Sequence, residues 1–373
     1  SGDELLVLAS ALVQKGQIVP MNYHFTTTKA HITERCGSVL EIPTKNAFDL
    51  QSDCPFKGNM DLDLLREALA QKDRIAFVRM EAGTNLIGGQ PFSLQNLMDV
   101  YALCCEHQVK LVLDASLLSD NLYFIKKREE MCRNDSIREI VRKIAEHTHL
   151  IYFSGRKLGC ARGGGIVTSD KALFEALRPL IPLFEGFLTY GGMSVKEMEA
   201  MAVGIEETLN EDVICQGPIF IEFMTAELLK RGIPVITPAG GLGCHIDAGA
   251  FLPHLTPQDY PAAALASAFF IASGIRGMER GTMSEQRNED GTEHISSMEL
   301  VRLALPRRVF SMSHILFAVD RLEWLFEHRD LIGALEWTEE PTVLRSFYGK
   351  LKPRGDWQQA LVQQFKADFG ESL

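Results

Sequence analysis

A lysine just past a buried strand is where this chain first suggests chemistry. Leu150-Ile151-Tyr152-Phe153 is an apolar run that ends in Ser154-Gly155-Arg156-Lys157. It reads as a buried strand with Lys157 beyond its carboxyl end. Desolvation at such a place lowers an amine's pKa and makes the neutral form nucleophilic, which suits Schiff-base chemistry. Taken alone, Lys157 is equally an ordinary surface lysine in a strand-to-helix turn. Its company argues for more. Asp114 closes the run Lys110-Leu111-Val112-Leu113, Asn85 follows the run Ile75 to Met80, and Phe25 follows Gln17 to Pro20.

Asp114 and Lys157 fall on successive strands with a helix between them. Pyridoxal 5′-phosphate (PLP) needs this pair of functions: a lysine for its aldehyde, and an aspartate that keeps a proton on the pyridine nitrogen so that the ring accepts electrons. Each residue also has a plainer reading. Asp114 fits a turn or a helix cap, Phe25 an ordinary core position or a plate beneath a flat ring, and Asn85 a turn or a donor to a phenolate oxygen. Ser154 could bond a phosphate, with Arg156 screening its charge. The Gly163-Gly164-Gly165 run follows the lysine and precedes a strand, so it is not a P-loop. Arg302 lies within the apolar run Leu300 to Leu305, where an arginine is costly unless paired. A bidentate clamp on a substrate carboxylate is its natural use. Arg280 follows an expected strand over Ile271 to Arg276 and either pairs with Glu279 or serves the site.

The elements that must carry these residues alternate. Short apolar runs at 17–20, 38–43, 75–80, 110–114 and 150–154 are separated by helical spacing at 61–69, 93–107 and 137–145. This pattern predicts an α/β fold: a mostly parallel sheet with helices on both faces. Ligands of such sheets sit beyond the carboxyl ends of the strands. Phe25, Asn85, Asp114 and Lys157 all fall there. Residues 194–230 read as largely helical. Further strands are expected at 233–236, 244–247 and 300–305, with helices at 261–273 and 313–329. The expected organisation is a large domain over residues 1–231, including a linking helix, and a smaller α+β domain over 232–373.

With 373 residues, 46% of them hydrophobic, the chain has ample material for more than one core. A formal net charge of −11 gives no basic patch and argues against nucleic acid as a partner. Eight cysteines lack paired metal spacing, so no metal site is expected, and a reducing cytoplasm is the expected location. No apolar run is long enough to span a bilayer, so no membrane partner is expected. The chain opens at a helix cap, Ser1-Gly2-Asp3-Glu4, as a cut domain or mature fragment would.

Longer motifs extend the pattern. They are Phe25-Thr26-Thr27-Thr28, Thr84-Asn85-Leu86 with Gly88-Gly89-Gln90-Pro91, Asp114-Ala115, Asn121 with Tyr123-Phe124-Ile125, and Ser154-Gly155-Arg156-Lys157. Tyr190-Gly191-Gly192, Met198 to Ala202, Met278-Glu279-Arg280-Gly281 and Val301-Arg302-Leu303 with Pro306-Arg307-Arg308 follow. In order and spacing they resemble the PLP-dependent aromatic amino acid β-eliminating lyases, the family of tyrosine phenol-lyase and tryptophanase. The resemblance implies PLP fold type I, the aminotransferase-like architecture. It implies Lys157 as cofactor lysine and as base at Cα, with Asp114 on the ring nitrogen, Phe25 on the ring face and Asn85 at the ring oxygen. It adds Ser154 and Arg156 near the phosphate and Arg302 on the substrate carboxylate. The implied reaction expels the aromatic group of a tyrosine- or tryptophan-like amino acid and leaves pyruvate and ammonia. A homo-oligomer, dimer or tetramer, and a monovalent cation such as K+ are implied with it.

Thr26 and Arg280 look like the phenol-binding pair of tyrosine phenol-lyase, where tryptophanases carry an acid and an apolar residue. By the same resemblance, Phe347 falls in the substrate pocket, around Leu344 to Phe347. There Ser346 replaces the phenylalanine of tyrosine phenol-lyase and the histidine of tryptophanase. Leu117 replaces an arginine that contacts the cofactor, Arg162 an asparagine of the cation site, and Leu242 a glycine-flanked histidine. The resemblance also places a Gln-Gly-Arg phosphate loop and an interface-crossing tyrosine upstream of Ser1. Two other readings stand beside this one: a different fold-type I reaction, such as transamination or cysteine-type β-elimination, and a non-catalytic homologue that only binds or assembles.

Overall fold

Val, Ile, Leu and Phe fill a pleated surface well, and Asp, Ser and Gly end the runs they form. In a computed structural model, residues 2–158, 161–288, 290–342 and 345–370 are described. They form two units. One comprises Ser1–Ala47 and Cys54–Pro218, the other Phe48–Asp53 and Ile219–Leu373. The division falls earlier than the expected 231/232 boundary. Helix Gln216–Lys230 sends Ile221, Met224 and Leu228 into the same core as Ile233 and Val235, which ties it to the second unit. The Phe48–Asp53 segment joins that unit through a Thr237 N–H donated to Leu50 O at 2.8 Å and a Gln51 side chain donated to Val235 O at 3.3 Å.

The first unit holds a six-stranded sheet. Its strands are β1 (Ile18–Met21), β2 (Ser38–Glu41), β3 (Val78–Glu81), β4 (Leu111–Asp114), β5 (Leu150–Ser154) and β6 (Gly164–Val167), in the order β2-β1-β3-β4-β5-β6. The first five are parallel and β6 returns antiparallel to β5. Helices Leu62–Leu69, Leu94–Glu106 and Ile137–Glu146 cross between strands. Each starts on a side chain that accepts orphan backbone N–H groups: Asp61, Ser93, and Ser136 in a capping box with Glu139. Helix Ile137–Glu146 buries Ile137, Ile140 and Ile144, one face at helical spacing.

Side chains alternate across the sheet into two cores. Val78, Met80, Leu111 and Leu113 enter one, and Val112, Leu150 and Tyr152 the other. Strands β3 and β4 are buried along their whole length, as a parallel sheet covered on both faces requires. Arg79 and Glu81 break this apolar rule inside β3.

The second unit is built on an antiparallel sheet of β7 (Gly243–Asp247), β8 (Met278–Arg280) and β9 (Leu300–Ala304), ordered β7-β9-β8. A separate pair joins β10 (Leu335–Glu339) to β11 (Lys350–Pro353). Helices Pro261–Ser273, Met312–Glu327 and Trp357–Phe369 supply Leu265, Phe269, Leu322, Leu325, Leu361 and Phe365 to its core. Two expectations are corrected. Residues 271–276 are not a strand: the alanine-rich helix runs on to Ser273 and ends at Gly274, whose φ of +70° is the left-handed cap that glycine adopts at low cost. Arg280 therefore lies within β8 itself. The strand expected over 233–236 shrinks to a bridge between Val235 and Ile246, because Pro234 has no N–H to extend a ladder. Among the described residues, no helix is long and apolar enough to cross a membrane.

Candidate active site

Four neighbouring parallel strands bring the first unit's site residues together. Phe25 follows β1 and caps helix Thr26–Glu34, Asn85 follows β3, Asp114 ends β4, and Lys157 lies in the turn of helix Gly155–Leu158 after β5. Strand register sets their depth, with Glu81 beside Asp114 and Asp114 beside Tyr152. Lys157 Nζ stands 5.4 Å from the centroid of the Phe25 ring. Its positive charge also favours the ionised form of Asp114. Asn85 and Ser154 are buried, Thr26 is half-buried at the first turn of its helix, and Arg156 is exposed.

Asp114 is the most constrained of the group. Burial opposes its ionisation, but Arg79, the Ser116 hydroxyl and amide, and Lys157 outweigh burial and hold its carboxyl below the ordinary aspartate range. Ser116 N–H donates to Oδ1 at 2.9 Å, while Arg79 Nη2 and the Tyr152 hydroxyl donate to Oδ2 at 2.7 and 2.9 Å. The loops after β3 and β4 meet closely here. Gly83 has a φ of +62°, and a Cβ on it would lie 3.1 Å from Leu117 Cβ. Leu117, the position where the resemblance expects a cofactor-contacting arginine, is buried against that turn. Asn121 ties the same loop down by accepting from the Gly83 and Phe92 amides, both at 3.0 Å.

These residues fit PLP. A buried carboxylate kept ionised suits a protonated pyridine nitrogen, and an aromatic face with a lysine over it suits a flat ring carrying an aldehyde. The Ser154 and Asn85 side chains, buried at strand ends, suit its polar substituents. Among the described residues, no group of three or more His, Cys, Asp or Glu is placed to hold a metal ion.

The remaining predicted residues belong to the second unit. Arg280 ends β8, and Arg302 sits in the middle of β9 with His245 opposite it on β7 and Met278 opposite it on β8. Cross-strand partners share a face, so His245, Arg302 and Met278 form one row and Arg280 lies two residues along it. Arg302 Nη2 approaches Met278 Sδ at 2.7 Å. Burial and the charge of Arg280 push Arg302 down to about 9. Burial, Arg302 and Arg280 push His245 down to about 3, so its imidazole is neutral. Glu279 points to the opposite face, where it accepts from the Ser284 hydroxyl at 2.6 Å and burial pushes it up to about 7.

Of the expected substrate pocket, Leu344 lies outside the described residues. Arg345 is a buried anchor that donates to Thr282 O at 2.8 Å, Glu293 Oε2 at 2.6 Å and Glu340 Oε1 at 2.7 Å. It thereby holds the chain just after Arg280. Ser346 is half-buried and Phe347 is exposed.

Sequence reasoning passed over Arg79, Glu81, Ser116 and Tyr152. Two charged residues in the apolar run of β3 were the available signal. The rule that marked Arg302, that a strand arginine must be paired, applies equally to Arg79.

Known proteins place the chain in a family. The family described as beta-eliminating lyase matches residues 4–321. The chain is 36% identical over 352 residues to tyrosine phenol-lyase of Pasteurella multocida, covering 93% of this chain and 77% of that protein. It is 38% identical over 338 residues to tryptophanase of Salinibacter ruber, covering 90% and 72%. Among solved structures it is similar to cystalysin of Treponema denticola, which contains a PLP cofactor, with a TM-score of 0.61 and 11% identity over 88% of this chain and 75% of that one. Serine palmitoyltransferase of Sphingomonas wittichii gives 0.57 and 14% over 89% and 72%. The architecture is that of PLP fold type I, and the chain belongs to the beta-eliminating lyase family.

Proposed function

We propose that this protein is a PLP-dependent carbon–carbon lyase. It removes the aromatic group of a tyrosine- or tryptophan-like amino acid by β-elimination and yields pyruvate, ammonia and the free aromatic. The observation that carries this reading is the gathering of Lys157, the Phe25 ring and an ionised Asp114 at adjacent strand ends of a chain in this family. Bound PLP supplies the electron sink that makes the amino acid's Cα proton acidic and lets a β-substituent leave.

Each residue has a distinct part. The Lys157 amine would hold the cofactor and carry the Cα proton of the substrate. Asp114, held ionised, would keep the ring nitrogen protonated. Phe25 would cover one ring face, Asn85 would donate at the ring oxygen, and Ser154 would bond the phosphate with Arg156 nearby. The resemblance gives Arg302 to the substrate carboxylate, and Thr26 and Arg280 to the aromatic group. Phe347 belongs to the substrate side by the same resemblance. Arg302 suits its part because burial and Arg280 both disfavour its charge, and a bound carboxylate would relieve both.

A homo-oligomer accompanies the reading. Leu183, Phe187, Leu188 and Val195 are all more than half exposed within one stretch of the first unit, apolar surface that a second copy of the chain could cover. A cytoplasmic location, which the cysteine usage of the sequence suggests, belongs to the same reading. The test is spectroscopic and chemical. The purified protein with PLP should show a visible cofactor band that Lys157→Ala abolishes, and should release pyruvate with a free aromatic. A keto acid retaining its side chain would instead identify a transaminase, and absence of any bound-cofactor band would defeat the proposal.

A further inference from the structure

Arg79 is wholly buried in the middle of β3. A guanidinium in that position costs several kcal/mol unless it is closely paired. Here every arm is used. Nε donates to the Tyr152 hydroxyl at 2.8 Å, Nη2 to Glu81 Oε2 at 2.9 Å and to Asp114 Oδ2 at 2.7 Å, and Nη1 to Tyr23 O at 3.4 Å. Tyr152 closes a triangle by donating to the same Asp114 oxygen at 2.9 Å. The other oxygen of Glu81 accepts the Asn85 N–H at 3.0 Å, and the Glu81 N–H donates to Asn22 Oδ1 at 3.0 Å. A continuous buried chain therefore runs from Asp114 through Arg79 and Glu81 to Asn85. Its ends are the two residues given to the nitrogen and the oxygen of the cofactor ring.

We propose that Arg79 and Glu81 are positioning residues of the cofactor site, a charged bridge that holds Asp114 and Asn85 in register with each other and governs the protonation of the ring nitrogen. The inference rests on the PLP reading of Asp114 and goes beyond it. One cation between two carboxylates leaves the cluster with spare negative charge, which a protonated ring nitrogen can match. Arg79 is also the reason that two buried acids coexist a strand apart. Burial raises Glu81 while Arg79 and Ser116 hold Asp114 low, so Asp114 is the stronger acid of the two. Lysine cannot replace this arginine fully. A single ammonium cannot reach Tyr152, Glu81 and Asp114 from one point, whereas a planar guanidinium presents fixed donors to all three.

The experiment uses the full chain loaded with PLP labelled with 15N at the ring nitrogen. Three variants, Arg79→Met, Arg79→Lys and Glu81→Gln, are compared with Asp114→Asn. Two quantities are read: the PLP dissociation constant by fluorescence, and the ring-nitrogen resonance as a function of pH. Arg79→Met should weaken PLP binding by about tenfold or more, the worth of one misplaced charge-assisted hydrogen bond, and should move the ring-nitrogen resonance. Arg79→Lys should recover part of both. A purely structural role would lower thermal stability and leave the resonance of the bound cofactor where it was, which would overturn the proposal. If Arg79→Met yields no folded protein, Glu81→Gln carries the same two readouts: a wild-type dissociation constant with a wild-type resonance overturns the bridge, and a change in both supports it. Asp114→Asn separates the two levels. If it too leaves the resonance unmoved, the cofactor reading of Asp114 falls; if only Asp114→Asn moves it, the bridge alone falls.

Discussion

Two arginines occupy the middle of short strands, and their surroundings are opposite. Arg79 in β3 is enclosed by Glu81, Asp114 and Tyr152, and its charge is stabilised by two carboxylates within 2.9 Å. Arg302 in β9 has a neutral histidine and a thioether as cross-strand neighbours and a second arginine two residues along the same face. Burial disfavours both charges. In Arg79 the attraction of the carboxylates and the tyrosine overcomes it and raises the pKa. In Arg302 the repulsion from Arg280 adds to it and lowers the pKa. The lesson is that burial of an arginine says little until its counter-charges are found. An arginine whose charge the protein's own acids favour holds structure in place, and one whose charge burial and a second arginine disfavour suits a carboxylate that arrives from outside.

The comparison can be broken most directly through stability. Arg79→Met leaves two buried carboxylates without their cation, so the apo protein should lose about 3–5 kcal/mol on the scale of a broken buried pair. Arg302→Met should leave urea unfolding unchanged or slightly improved, since it removes a charge that burial and Arg280 both disfavour. Equal losses in the two variants would erase the distinction between the arginines. A ligand measurement sharpens it next. Arg302→Ala should weaken binding of the amino acid by about 1.5–3 kcal/mol and leave PLP affinity intact, as read by calorimetry on the loaded enzyme. An unchanged substrate dissociation constant would remove Arg302 from carboxylate binding.

The smallest effect is a pH slope. His245 is held near 3 in the folded state against an ordinary value of 6.5, so the unfolded chain binds more protons between those limits. Stability from this group is therefore complete above about pH 6.5 and declines as pH falls towards 3. His245→Phe should flatten that part of the stability curve. Asp114, whose pKa is lowered, acts in a more acid window: its contribution is present above the unfolded value of 3.8 and is lost only below it. If His245→Phe leaves the slope between pH 6.5 and 3 intact, the row His245-Arg302-Met278 is not the electrostatically strained element described here.

Much of the first unit was legible in advance. Parallel strands buried on both faces are apolar along their length, so their ends stand out, and Phe25, Asn85, Asp114 and Lys157 could be read at those ends. Capping residues such as Asp61, Ser93 and Ser136 act on their own helix within three residues, which makes helix starts local signals. The second unit was less legible. The apolar stretch Ile271 to Arg276 looked like a strand, yet its first residues complete a helix that alanine favours and Gly274 stops. The boundary at Pro218/Ile219 depended on which core received Ile221, Met224 and Leu228, a choice made by packing and not by helix propensity.

By itself, then, the amino-acid sequence determined the alternation of strands and helices, the strand ends at which a ligand would sit, and the lysine–aspartate pair that suits PLP. These follow from local periodicity and from motifs that need only neighbouring residues. Only the tertiary structure decided what surrounds Asp114. Arg79, Glu81 and Tyr152 are brought to it by the register of β3, β4 and β5, in which Glu81 lies beside Asp114 and Asp114 beside Tyr152. Register is a property of strand pairing across long separations in the chain, and a shift of one residue would turn Arg79 to the opposite face of the sheet and dissolve the bridge.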